Sequence, residues 1–181
     1  MFEDLTWLKV TGVILVSMIF QYVFLNQIVI LGSHPDLMLV LPVTAGIIGG
    51  AEVGAFMGFF AGIAADLVLP TPFGLSALVY VVIGYGVGSF VSSAFGHDFY
   101  SARVLGTTLG CLFGTLFQAI IAAFIGQPGI LNSQLIVTTA VVGLGGLVFA
   151  IPVFRIWGWA LSDMRRFSFG SRMPSGGSAL R

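Results

Sequence analysis

Charge is what this chain has least of. Of its 181 residues, seven are basic and seven acidic, 8% in all, where a soluble globular domain carries about 25%. That shortage excludes an ordinary water-soluble fold, and no nucleic-acid partner is expected. Cysteine occurs once, as Cys111 in an apolar stretch. One thiol makes no internal disulfide and no cysteine metal cage. Histidine occurs twice, and there is no His-Glu-x-x-His motif, Walker loop or dinucleotide fingerprint. No metal, no cofactor and no catalytic residue is expected. A cleavable leader is not expected either. The first apolar run is too long for a signal-peptide core and no small-residue cleavage site follows it, so it is expected to remain as a membrane helix.

What is present is apolar. Hydrophobic residues make up 57% of the chain and the mean hydropathy is +1.07. A spanning helix needs about 20 mostly apolar residues, and such runs recur. They predict an all-α integral membrane protein, a bundle of six transmembrane helices over about 10–31, 37–50, 53–69, 73–95, 104–125 and 135–157. Segments two and three form one apolar stretch, and a single helix over 37–69 would run to roughly 50 Å. Gly49-Gly50-Ala51-Glu52 supplies a break with a charge, which predicts a tight hairpin and a short second segment. The membrane domain is expected over 1–164, with a disordered basic cytoplasmic tail over 165–181, where Ser, Gly and Arg cannot bury a core.

The basic residues fix an orientation. With six spans, Lys9, Arg103, Arg155, Arg165, Arg166, Arg172 and Arg181 all fall on one side. The positive-inside rule makes that side cytoplasmic, with both termini inside. Trp7, Trp157 and Trp159 fall at the expected inner boundaries, where indole rings favour the headgroup layer.

Small residues recur every four positions: Gly46, Gly50, Gly54, Gly58 and Gly62; Gly84, Gly88, Ser92 and Gly96; Gly106, Gly110 and Gly114. Residues four apart share a helix face, and small side chains let backbones approach closely. Intramolecular packing is the favoured reading; docking of a helix from another protein is the alternative. Gln21, Asn26 and Gln27 are candidates to hold segment one to a neighbouring helix or to contact a helix of a partner protein.

Two carboxylates stand out. Asp36 follows Pro35 and opens segment two, where it suits a helix cap. Asp66 closes segment three, where the helix dipole disfavours negative charge, with no Lys or Arg expected on that side. It must reach water, accept from backbone N–H groups near segment four, pair with His34, or be neutral. A small cluster of Asp66, His34 and Ser76 is expected at the outer end. Gly74-Leu75-Ser76-Ala77 is similar to the Gly-x-Ser stretch of intramembrane serine proteases. A base would have to come from His34, since His97 lies on the opposite side, and no enzyme activity is expected.

The order of these polar groups over residues 34–85 is the most specific signal: His34-Pro35-Asp36-Leu37, Glu52, Gly58-Phe59, Asp66-Leu67, Phe73-Gly74-Leu75-Ser76-Ala77-Leu78-Val79-Tyr80, Gly84-Tyr85. It resembles the rod shape-determining protein MreD family over about the middle third of the chain. The resemblance implies a multi-pass protein of the bacterial inner membrane with no catalytic role. It would scaffold or regulate lateral peptidoglycan synthesis within the elongation complex. The implied partners are MreC, as the direct one, MreB filaments, the glycan polymerase RodA and a class B penicillin-binding transpeptidase, with membrane lipid around them. Candidate structural or partner-binding residues are His34, Pro35, Asp36, Gly58, Phe59, Asp66, Phe73, Gly74, Ser76 and Tyr80. The fold is also similar to the substrate-binding component of energy-coupling-factor vitamin transporters. That alternative would expect an Ala-x-x-x-Ala face on segment one, which offers only Thr11, Gly12 and Ser17.

Overall fold

The structure, a computed structural model, describes residues 2–68, 72–94, 100–126 and 134–160. The tail over 165–181 and the loop with His97 and Asp98 lie outside the described residues, as does the side chain of Trp7. Among the described residues there are six α-helices and no β-strand. They are α1 (Phe2–Val23), α2 (Leu37–Gly49), α3 (Ala51–Asp66), α4 (Leu75–Ala94), α5 (Tyr100–Phe124) and α6 (Gln134–Ala160), with a 3₁₀ turn at Leu25–Gln27 after α1. Among the described residues three stretches are long and apolar enough to cross a bilayer: Leu8–Gln27, Arg103–Phe124 and Gln134–Ala160. Leu37–Gly49 and Leu75–Val91 are shorter apolar helices.

The apolar run expected as one helix over 10–31 is divided. The helix starts at Phe2 and stops at Val23. The chain then turns tightly at Leu31 and Gly32, whose φ values are 53° and 84°, closed by backbone hydrogen bonds between Ile30 and Ser33 of 2.9 and 3.0 Å. Ile28-Val29-Ile30 is a β-branched run with weak helix preference. Pro35 then holds His34 out of the helical region. Hydropathy is high on both sides of this break, and only Asn26 and Gln27 mark the place.

Successive helices alternate in direction. The end of α1 meets the start of α2 through Gln21 and Leu37. The end of α3 meets the start of α4 through Asp66 and Ser76. Gly106 early in α5 lies near Ile47 late in α2, whereas Gly114 lies against Leu39. One end of the bundle therefore gathers the starts of α2, α4 and α6 with the ends of α1, α3 and α5. Lys9, Arg103 and Arg155 lie toward the other end, where the Lys9 ammonium sits 4.9 Å above the Trp159 ring.

α2 is the axis of the bundle. Every residue from Leu37 to Ile47 is buried, and all five other helices touch it. Pro42 stands inside it and removes one backbone donor. Thr44 Oγ1 donates back to the Val40 and Leu41 carbonyls at 2.7 and 3.0 Å, and Trp157 Nε1 donates to the Leu41 carbonyl at 3.1 Å. Trp157 thus departs from the headgroup position expected of it. It is fully buried, because its indole N–H finds its acceptor inside the bundle. Trp159, two residues on, is exposed.

α3 and α4 touch through their backbones. A Cβ on Gly54 or Gly58 would run into the carbonyl of Gly84 or Tyr80, and one on Gly62 into the Cα of Ala77. Only glycine permits this approach. Gly110 and Gly114 of α5 face Val43 and Leu39 of α2. Gly46, Gly54, Gly58, Gly62, Gly84, Gly88, Gly106, Gly110 and Gly114 serve packing within the chain, whereas Gly50 forms the turn between α2 and α3, and Gly96 and the side chain of Ser92 lie outside the described residues.

Candidate functional site

The polar residues converge at the end where α2 and α4 begin. A helix start leaves its first N–H groups without intrahelical partners. At α4 the Asp66 carboxylate meets that need: Oδ2 accepts from the N–H groups of Gly74 and Ala77 at 2.9 and 3.2 Å, and Oδ1 from Ser76 at 3.1 Å. The Leu75 N–H donates to the Pro72 carbonyl at 3.2 Å. Gly74, with φ of 97°, turns the chain so that these donors point at one carboxylate. The positive end of the α4 dipole balances the negative charge. Asp66 is 5% exposed and still has the partners a buried carboxylate requires.

Asp36 does the same for α2 and adds a cross-link. Its Oδ1 accepts from the Leu39 N–H at 3.2 Å, a helix cap. Its Oδ2 accepts from the Tyr80 hydroxyl at 2.8 Å. Gln21 fastens α1 to the same place: its Nε2 donates to the Pro35 carbonyl at 3.0 Å, and its Oε1 accepts from the Leu37 N–H at 2.9 Å. The hydroxyls of Ser33 and Thr138 lie 2.7 Å apart and tie in α6.

These groups surround a cavity of about 320 Å³, to which Tyr22, Asn26, His34 and Gln118 also contribute. Among the described residues Asp36 is the single carboxylate along its wall, and no Lys or Arg lines it.

The ten sequence candidates divide into two sets. Pro35, Asp36, Gly58, Asp66, Gly74, Ser76 and Tyr80 belong to the joint between α2, α3 and α4. Pro35 also lies where a Cβ on Gly145 would meet it, at 2.9 Å. His34, Phe59 and Phe73 are exposed. His34 lies on the cavity wall, and the Asp66 oxygens are occupied by backbone donors of α4 rather than by His34. Ser76 contributes its N–H; its Oγ is buried with no partner among the described residues. Gln118, Thr115 and Thr138 line the cavity without having been singled out. The signal for them was present: Thr115 and Gln118 stand three apart, on one face of an apolar helix.

Two carboxylates that cap helices, among described residues that are helical and include bilayer-length apolar segments, define a membrane protein whose acidic groups at this end join its helices. The family model described as rod shape-determining protein MreD matches residues 2–156. The chain therefore belongs to the MreD family, whose members are shape-determining structural membrane proteins of the Mre system. No curated protein and no solved structure matches it.

Proposed function

We propose that this protein is a non-catalytic subunit of the bacterial cell-wall elongation complex. It maintains rod shape by scaffolding or regulating lateral peptidoglycan synthesis. The observation that carries the reading is the family match over residues 2–156, which takes in nearly all of the six helices. The use of Asp36 and Asp66 as helix caps supports it, since these carboxylates have structural work to do.

In this reading all six helices lie in the inner membrane, α2 as a short central one, and both termini are cytoplasmic. The membrane domain covers 1–164, followed by a basic tail over 165–181. MreC is the direct partner; MreB filaments, RodA and a class B penicillin-binding transpeptidase complete the assembly. Pro35, Asp36, Gly58, Asp66, Gly74, Ser76 and Tyr80 hold the shape that partners recognise. Exposed His34, Phe59 and Phe73 are available for contact.

Controlled depletion in the native host tests this, scoring cell width and the sites of new wall insertion with and without excess vitamins. Rounding with delocalised insertion that vitamins do not rescue is expected. A growth defect cured by one vitamin, with shape intact, would sink the proposal and favour a transporter component.

A further inference from the structure

The cavity holds polar groups that the fold leaves unused. Gln21, Asp36, Ser33 and Thr138 are engaged with protein partners. Among the described residues Asn26, His34 and Gln118 have no hydrogen-bond partner, although all three line the cavity. Each offers both donors and acceptors. Gln118 is half-buried, and a polar group so placed is ordinarily paired with protein, water or ligand.

Charge narrows the ligand. An anion would face Asp36, and among the described wall residues there is no Lys or Arg and only the exposed His34 to receive it, so phosphate and carboxylate groups are disfavoured. A cation would find a single carboxylate, Asp36, with no second anionic group among the described wall residues to help hold it. The remaining class is neutral, with hydroxyl or amide groups that donate and accept in turn. Tyr22 and Tyr80 add flat apolar faces with polar tips. At about 320 Å³ the cavity stands at the small end of the usual range for small-molecule sites, about 300–1,000 Å³.

We propose that the cavity between the ends of α1, α3 and α5 and the starts of α2, α4 and α6 binds a neutral, hydroxyl-rich ring the size of one sugar unit. Such a ring could be a free sugar or the headgroup of a glycolipid, and the two sources are separable. The inference stands apart from the scaffold reading, because its readout is binding rather than cell shape.

The test uses the full chain in a polyoxyethylene detergent, which carries no sugar. Radiolabelled N-acetylglucosamine and monoglucosyl diacylglycerol are titrated separately, with phosphatidylglycerol and tetramethylammonium as anionic and cationic probes. Saturable binding of a sugar probe, one per chain, is expected. Binding of the free sugar assigns a free source; binding of the lipid alone assigns a glycolipid. Gln118→Leu and, at an exposed position, Asn26→Leu should each weaken binding about tenfold with an unchanged melting temperature. If Gln118→Leu does not fold, Asn26→Leu decides. The proposal is overturned if neither sugar probe binds, if an ionic probe binds as tightly, or if the folded variants keep full affinity.

Discussion

The Tyr80 hydroxyl donates to the Asp36 carboxylate at 2.8 Å, so the side chain that caps α2 is also the anchor of α4. An interhelical hydrogen bond in a membrane is worth about 0.6–2 kcal/mol, and a charged acceptor places this one in the upper part of that range. Tyr80→Phe is expected to destabilise the purified protein by about 1–2 kcal/mol. Combined with Asp36→Asn in a double-mutant cycle, it should show coupling of at least about 0.5 kcal/mol. Additive losses in thermal unfolding would mean that the bond contributes nothing.

Asp66 carries a heavier load. Asp66→Ala would leave three N–H groups at the start of α4 without their acceptor, two of the bonds being buried. Each unsatisfied buried donor costs about 1–3 kcal/mol. The expected loss is at least about 3 kcal/mol, with failure to accumulate in the membrane and rounded cells. Wild-type accumulation with intact partner binding would refute this account of the carboxylate.

Ser76 should behave in the opposite way. Its N–H is held by Asp66, but its Oγ is buried without a partner among the described residues. Ser76→Ala removes an unsatisfied hydroxyl and keeps the backbone bond. Stability is expected to be unchanged or raised by up to about 1 kcal/mol, with normal cell shape. A shape defect at full protein level would assign the hydroxyl a direct role.

The glycines offer a matched comparison. Gly58→Ala and Gly62→Ala drive a methyl into the α4 backbone, and overpacking costs about 1–3 kcal/mol or more. A Cβ on Gly86, on the same α4, meets nothing within 4 Å, so Gly86→Ala should be tolerated. Melting temperatures in detergent, with cell width as the functional readout, separate the two groups. Equal effects would show that the α3–α4 contact is looser than described.

Much of this site could be read along the chain because its parts are near one another in sequence. Asp36 as a cap follows from Pro35-Asp36-Leu37, and backbone donors near segment four were among the few partners open to Asp66. What could not be read was direction. Nothing in the residue order says that Tyr80 reaches Asp36, or that Asp66 meets the α4 backbone instead of His34. The contributions of α5 and α6 were harder still, since Thr138 joins Ser33 across 105 positions. Trp157 was misplaced for the same reason. An indole near a basic helix end is expected in the headgroup layer, and its partner, the Leu41 carbonyl, lies 116 residues away. The break in segment one was marked only by Asn26 and Gln27, since hydropathy is blind to backbone shape.

The burial of α2 bears on how the protein is made. At 13 residues it is only about 20 Å long, short of the roughly 30 Å hydrocarbon layer. A segment of that length is a poor candidate for threading into a bilayer alone. Joined to α3 through the single residue Gly50, it is better suited to enter as one half of a hairpin. Its final position is then reached only when the later helices close around it. Biogenesis should therefore stall with α2 unsheltered whenever translation stops before α5, leaving truncated chains as targets for membrane quality-control proteases.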